Sequence, residues 1–281
     1  MAQYLSRIRN RSSKRTLACF ILTLTSGLFG VGCTATKPEQ KMPVSTNTQP
    51  PNNTTQVGNE LATVDIAVIP WQVSAAQEEK LKPLADYLTQ KLGQPVKFQI
   101  TKDYETSVDL LVEGKVEFAY LGALTYLKAK QRDPQVQPIV APIEKTTGRP
   151  WYTSIIVVNK ASGIKSLKDL KGKRFAFVSQ SSTSGYLVPS VEFKQRGINP
   201  DRDFAVVKYP GSHDKAKAAL IAGEVDAIAD DKRSYLTMQK AGKLDAAKYE
   251  IIWESQPIPN IPIVASSKVT PQLIARLKKA F

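Results

Sequence analysis

Short apolar runs alternate with segments of helical periodicity along most of this chain. Three runs in its first half, "VDIAVIP" (64–70), "VKFQI" (96–100) and "VEFAYLG" (116–122), are typical of buried β-strands. Between the first two, the segment 74–92 places leucines every three or four residues, which predicts an amphipathic helix. Strands that alternate with helices predict an α/β fold with a mostly parallel sheet and helices on both of its faces.

A second series of the same kind begins after residue 160, with strands predicted at "RFAFVS" (174–179), "FAVVKY" (204–209) and "VDAIAD" (225–230). Two series favour two α/β lobes with a cleft between them, and "YTSIIVVNK" and "PNIPIVASS" are candidate crossovers. We expect lobe 1 to comprise residues 61–155 and 257–281, and lobe 2 residues 156–256.

The N-terminal region carries a targeting pattern. A basic stretch precedes the short apolar segment "LACFILTLTSGLFGVG", and small residues lead to Cys33, which predicts a signal peptide over residues 1–32. The ending "GVGC" resembles a bacterial lipobox and would make Cys33 the lipidated first residue, although Gly30 stands where leucine is usual. A transmembrane anchor is the alternative. Residues 33–60 are rich in Thr, Asn, Gln and Pro, which predicts a disordered tether.

Composition narrows the class of ligand. The 281 residues carry a formal net charge of +14, but the basic residues are dispersed, so nucleic-acid binding is not the favoured interpretation. A positive field suits an anionic ligand or an anionic membrane surface. One histidine, and no thiol besides Cys33 after export, predict neither a metal site nor a cofactor.

Polar residues follow the predicted strands, where helices begin. The largest group is the hydroxyl cluster "SSTSG" (181–185), and the others are His213, the pair Asp230 and Asp231, Tyr104, and Gly122 after Tyr120. Helix N-termini carry unpaired N–H groups that bind phosphate-like anions. Each residue also has a purely structural explanation, as a helix cap, a surface histidine or a core aromatic. Ser182, His213 and Asp230 could also form a hydrolase triad, although no G-x-S-x-G elbow is present.

Several segments resemble the phosphate-, phosphite- and phosphonate-binding proteins of ABC importers. They are "PLADYLTQKLGQPV", "TKDYETSVDLLVEGKVEFAYLG", "SLKDLKGKRFAFVSQSSTSGYLVP" and "GSHDKAKAALIAGEVDAIADD". The resemblance runs from about residue 62 to 281 and implies a type II periplasmic-binding-protein fold that closes on its ligand. The residues implied as ligand-binding are Ser182, Thr183, Ser184, His213, Asp230, Tyr104, Tyr120 and Gly122. Asp231 is close enough to Asp230 to compete for the acidic position.

The resemblance also implies a function. The chain would be a solute-binding protein, not an enzyme, that delivers a small phosphorus oxyanion to a membrane permease and its ATPase. We expect a periplasmic monomer held at the plasma membrane by its lipid. A sensory domain of the same fold is the main alternative, and a hydrolase is less favoured. Lys232 and Arg233 stand where binders of aminoalkyl phosphonates are expected to hold an acid, which favours phosphite, phosphate or a small alkyl phosphonate.

Overall fold

The structure is a computed structural model that describes residues 62–144 and 147–281. The described residues all belong to one compact unit. The predicted signal peptide, Cys33 and the predicted tether lie outside the described residues. Within the described part of the chain, no helix combines the length and the apolar character needed to span a bilayer.

Twelve strands and eight α-helices make up the described chain. The strands are β1 (Val64–Val68), β2 (Val96–Ile100), β3 (Phe118–Tyr120), β4 (Gln137–Val140), β5 (Trp151–Tyr152), β6 (Ser154–Asn159), β7 (Arg174–Ala176), β8 (Val206–Lys208), β9 (Ala227–Asp231), β10 (Tyr249–Glu254), β11 (Ile258–Pro259) and β12 (Ile263–Ala265). The helices are α1 (Ser74–Leu92), α2 (Tyr104–Val112), α3 (Ala123–Arg132), α4 (Val188–Gln195), α5 (Pro200–Asp203), α6 (His213–Ile221), α7 (Lys232–Lys240) and α8 (Pro271–Ala280).

The strands form two five-stranded sheets, which confirms the two-lobed α/β fold. The first sheet has the order β2-β1-β3-β12-β4 and the second the order β10-β6-β9-β7-β8. Strands β5 and β11 pair with each other in a separate two-stranded sheet, where the chain passes from the first sheet to the second and returns. The exact limits of the two lobes stay a prediction.

Each sheet is mostly parallel, as predicted: four of its five strands run in one direction and one strand runs against them. β1 pairs in parallel with β2 and β3, and β7 pairs in parallel with β8 and β9. β12 and β6, however, are antiparallel to both of their neighbours. Each enters its sheet from the crossover, so its first residue lies opposite the last residue of a parallel strand: Ser154 faces Asp231, and Ile263 faces Tyr120. The chain therefore crosses at the carboxyl edge of both sheets, where ligands of such sheets bind.

Helices cover both faces of the first sheet, as predicted from the alternation of helices and strands. Ile66 packs in one cluster with Leu88 of α1 and Leu277 of α8. The next residue, Ala67, belongs to a second cluster with Val108 of α2. Because successive strand residues point to opposite faces, these two clusters lie on opposite sides of the sheet.

The hydroxyl cluster opens a helical segment that does not start as a regular α-helix. Thr183–Leu187 form a π-helical turn that leads into α4. Pro189 has no N–H to donate to the carbonyl of Gly185 four residues earlier, and that carbonyl accepts from Val178 N at 2.9 Å instead. The turn is thereby tied to the segment that follows β7.

Gly185 is required at this position because the backbone approaches Val178 closely. A Cβ atom on Gly185 would overlap the Val178 side chain and come within 2.9 Å of Ser182 Oγ. We expect Gly185→Ala to lower the free energy of unfolding by about 1–3 kcal/mol, measured by urea denaturation.

The matched control for this variant is Ser190→Ala in the same helical segment. Ser190 Oγ is buried without a hydrogen-bond partner among the described residues, so its removal should change the unfolding free energy by less than about 0.5 kcal/mol. A Gly185→Ala protein as stable as this control would contradict the packing described here.

Candidate functional site

A small cavity lies where helix N-termini from both lobes meet. Many of its lining residues cap or begin a helical segment: Tyr104 begins α2, Gly122 caps α3, Ser182 caps the 183–187 turn, His213 begins α6 and Asp231 caps α7. The other lining residues are Ile69, Trp71, Tyr152, Thr183, Ser184, Arg233 and Ile261. The positive ends of several helices thus converge on one point, which favours an anion.

The size of this cavity restricts what it can hold. About 20 Å³ is open to the centre of a water-sized sphere. That space corresponds to a body of about 3 Å radius, roughly the size of a tetrahedral oxyanion. The cavity therefore fits a small inorganic anion or one with a small substituent.

The predicted hydroxyl cluster lines this cavity. Ser182, Thr183 and Ser184 are all buried. Ser182 Oγ accepts from Gly185 N at 3.0 Å, and Ser184 O accepts from Ser154 Oγ at 2.7 Å. These bonds fix the turn, so its hydroxyls are positioned before any ligand arrives.

Residues of the same turn also contact the first lobe. Thr183 Oγ1 accepts from Leu124 N at 2.9 Å, in the first turn of α3. Ser181 Oγ donates to Glu105 Oε1 and accepts from Lys128 Nζ at 2.7 Å. Thr183 thus supplies the side-chain acceptor that the α3 cap, Gly122, lacks, and this contact joins the two lobes beside the cavity.

Two buried tyrosines face the cavity. The hydroxyl of Tyr104 has no hydrogen-bond partner within the described residues. Burial raises the pKa of this hydroxyl well above its usual range, and burial likewise raises the pKa of Tyr152 to about 12. Both tyrosines therefore keep their protons at neutral pH and can donate to an anion.

His213 is held by a buried chain of charges. Its Nδ1 lies 2.6 Å from Asp230 Oδ1, and Asp230 Oδ2 lies 3.2 Å from Lys217 Nζ. Lys217 is completely buried and also contacts Asp214 and Ser234. Because Asp230 occupies Nδ1, the nitrogen left for a ligand is Nε2.

Of the two neighbouring acids, Asp231 lines the cavity and Asp230 lies behind His213. Burial would raise the pKa of Asp231, but the charges of His213, Arg233 and Lys217, with the Ser234 N–H, outweigh burial and hold that pKa below its usual value. Asp231 is therefore an ionised hydrogen-bond acceptor at neutral pH.

The structure brings together most of the residues predicted from the sequence, but not all. Tyr120 does not line the cavity: its ring packs edge-to-face against Trp71, 5.3 Å between centroids, and lies with the cluster on the α1 and α8 side of the sheet. Asp230 supports His213 without reaching the cavity.

Sequence reasoning missed three aromatic or charged residues that line the cavity, Trp71, Tyr152 and Arg233, and the buried Lys217 beside Asp230. Tyr152 lies in a crossover strand, where no helix begins. Trp71 lies between β1 and α1, in a turn that the sequence does not mark with hydroxyl or charged side chains. Arg233 was noted only as a basic residue after a strand. Lys217 stands one helical turn after His213, and this i, i+4 spacing places both on one face of α6.

His213, Asp230 and Asp231 also have donor types that could hold a metal ion, since their ligand atoms lie within 4.8 Å of one another. Two cations are close to this group: Lys217 Nζ at 3.2 Å from Asp230 and Arg233 Nε at 3.5 Å from Asp231. Their positive charges oppose a third cation, so the electrostatics favour an anion at this point.

Comparison with known proteins agrees with this geometry. Residues 66–281 match the family model described as "ABC transporter, phosphonate, periplasmic substrate-binding protein". The chain is similar to the phosphate-import protein PhnD of Mycolicibacterium smegmatis, with 29% identity over 82% of this chain and 74% of the relative. It is also similar to the phosphonates-binding periplasmic protein of Escherichia coli, with 28% identity over 68% of this chain but only 58% of that relative's length.

The fold is shared with solved structures. PhnD1 of Prochlorococcus marinus, solved in complex with methylphosphonate, superposes with a TM-score of 0.70 at 23% identity, covering 78% of this chain and 83% of that protein. These relatives are substrate-binding proteins of transport systems. The chain belongs to the family of periplasmic substrate-binding proteins of phosphonate ABC transporters.

Proposed function

We propose that this protein captures a small phosphorus oxyanion, namely phosphite, phosphate or a small alkyl phosphonate, and delivers it to an ABC permease and its ATPase. One observation carries the proposal: a single small cavity combines several helix N-termini with one ionised carboxylate, Asp231. The names of the relatives, a phosphate importer and a protein solved with methylphosphonate, support the same class of ligand.

The donors of the site suit the oxygens of such an anion. The hydroxyls of Ser182, Thr183, Ser184, Tyr104 and Tyr152 belong to residues that line the cavity. His213 Nε2 can donate to an unprotonated oxygen when it carries a proton, or accept from a P–OH group when it does not. The buried Tyr104 hydroxyl would gain its hydrogen-bond acceptor from the ligand. Hydrogen bonds to charged groups contribute about 1.5–3 kcal/mol each, so a few of them supply micromolar affinity.

Asp231 supplies selectivity. A carboxylate repels an oxygen that carries no proton, but it accepts a hydrogen bond from a P–OH group. Phosphate groups have a second pKa of about 6, so a protonated fraction persists near neutral pH. Sulfate has no such proton at this pH, and Asp231 therefore disfavours it.

Ser182 is better placed to bind an anion than to act as a nucleophile. Its Oγ accepts from Gly185 N as a helix cap, and within the described chain no hydrogen bond joins it to His213. The His213 and Asp230 pair is occupied by Lys217 on the side away from the cavity. The geometry thus favours binding over the Ser182, His213 and Asp230 triad.

The proposal also covers the oligomeric state of the protein and its attachment to the membrane. We infer that the periplasmic protein is a monomer anchored to the membrane by a lipid on Cys33, since the sequence "GVGC" and the polar segment 33–60 suit an anchored, tethered protein. The same proposal includes the ligand contacts. They are Ser182, Thr183, Ser184, His213, Tyr104 and Gly122, with Asp231 in place of Asp230.

Calorimetry with the purified protein tests the ligand class. We expect tight binding of phosphite, phosphate or methylphosphonate and none of sulfate. Ser182→Ala and His213→Ala should each weaken that binding by about 1–3 kcal/mol, because each removes a contact to a charged ligand. Ser190→Ala is the control and should bind as the wild type does. Failure of every phosphorus anion to bind would overturn the proposed function.

The pH dependence of binding tests Asp231. The pKa of Asp231 is lowered, so this carboxylate stays ionised at pH 5 and above. The methylphosphonate dianion has no P–OH to donate to Asp231. Above the second pKa of methylphosphonate, the fraction that keeps a P–OH falls about tenfold per pH unit, so the affinity for methylphosphonate should fall by about the same factor. Asp231→Asn should flatten this decline and allow sulfate to bind. A wild-type affinity that does not change from pH 6 to 9 would contradict the role given to Asp231.

A further inference from the structure

Two spaces meet at the side chain of Arg233. One is the small anion cavity, and the other is a wider groove with about 580 Å³ open to the centre of a water-sized sphere. Arg233 and Tyr152 line both spaces. The groove continues past them along Arg149, Trp151 and Leu236.

Arg233 is held at this boundary by contacts on several sides. Its guanidinium carbon lies 4.2 Å from the centre of the Tyr152 ring, a cation–π distance. Its Nη1 lies 3.2 Å from Asn260 Oδ1 and 3.7 Å from Glu144 Oε2, and its Nε lies 3.5 Å from Asp231 Oδ1. Asn260 is itself buried and donates to Pro142 O at 2.7 Å. These contacts hold the long Arg233 side chain in one position between the cavity and the groove.

We propose that Arg233 determines specificity by separating the anion cavity from the groove, so that phosphonates with longer substituents are excluded. The inference rests on the proposed function. A substituent on a phosphorus atom bound in the cavity has to leave past Arg233 and Tyr152, since these two residues are shared with the larger space. Shortening Arg233 joins the two spaces and admits the substituent.

The charge of Arg233 also discriminates between substituents by their charge. A guanidinium at the exit repels an ammonium group on the substituent, as in 2-aminoethylphosphonate. Arg149, Lys232 and Lys240 also line the groove and add positive charge, against Glu144 and Glu254. Of the basic residues that line the groove, Arg233 is the one that also lines the cavity, so it has the largest effect on a substituent that has just left the cavity.

Calorimetric dissociation constants for three ligands separate size from charge. Methylphosphonate fits the cavity, whereas propylphosphonate and 2-aminoethylphosphonate have substituents of equal length that differ in charge. We expect Arg233→Ala to reduce the wild-type preference for methylphosphonate over propylphosphonate by at least about tenfold. Arg233→Met keeps the bulk and should retain that preference, but should improve 2-aminoethylphosphonate relative to propylphosphonate by about fivefold or more.

Lys232→Ala is the matched control, because Lys232 lines the groove without reaching the cavity and pairs with Glu254. It should leave the ratio of methylphosphonate to propylphosphonate as in the wild type, and should change the ratio of 2-aminoethylphosphonate to propylphosphonate less than Arg233→Met does. Thermal melting establishes that each variant is folded. Should Arg233→Ala not fold, Arg233→Gln, which is shorter but can still bond Asn260, replaces it with the same expected direction.

The outcomes distinguish the two proposals. If the wild type binds methylphosphonate and the methyl-to-propyl ratio in Arg233→Ala stays within about threefold of the wild type, the role of Arg233 is overturned and the proposed function stands. The same conclusion follows if Lys232→Ala changes the ratio as much. If the wild type binds no phosphorus anion at all, the proposed function fails, and the role of Arg233 with it.

Discussion

A buried lysine makes an anion site possible beside two aspartates. Lys217 is completely buried and lies 3.2 Å from Asp230, whose other oxygen lies 2.6 Å from His213 Nδ1. Without Lys217, Asp230 would be an uncompensated buried charge, and removing one partner of such a pair costs about 3–5 kcal/mol. With Asp230 held by the lysine and the histidine, Asp231 is the acid that lines the cavity.

The rest of the site depends on how the chain crosses between lobes. Because β6 and β12 enter their sheets at the carboxyl edge, the crossover residues lie beside the helix N-termini of both lobes. Tyr152 reaches the cavity in this way, and Arg233 packs on Tyr152 and contacts the crossover residue Asn260. At the same edge, Leu124 N of the first lobe donates to Thr183 Oγ1 of the second. The groups that would bind an anion therefore also lie where the lobes touch.

Much of this arrangement could be predicted from the sequence, because helix starts after strands have a recognisable pattern. Ser182, His213, Tyr104 and Gly122 line the cavity as that pattern indicates. Tyr120 does not, since a side chain at the end of a strand faces one side of the sheet, and which side depends on the register. The burial of Lys217 could not be predicted for a different reason. A lysine within a helix is normally exposed, and only the contact with Asp230 in the structure shows that this one is buried.

The single histidine allows the most direct test of the charge chain. Because the protein has one histidine, the ¹⁵N NMR spectrum of its imidazole is unambiguous. The account predicts that Nδ1 carries a proton bonded to Asp230 with or without phosphite, and that phosphite shifts the Nε2 resonance. A histidine protonated on Nε2 alone, or an Nε2 resonance that does not respond to saturating phosphite, would contradict it.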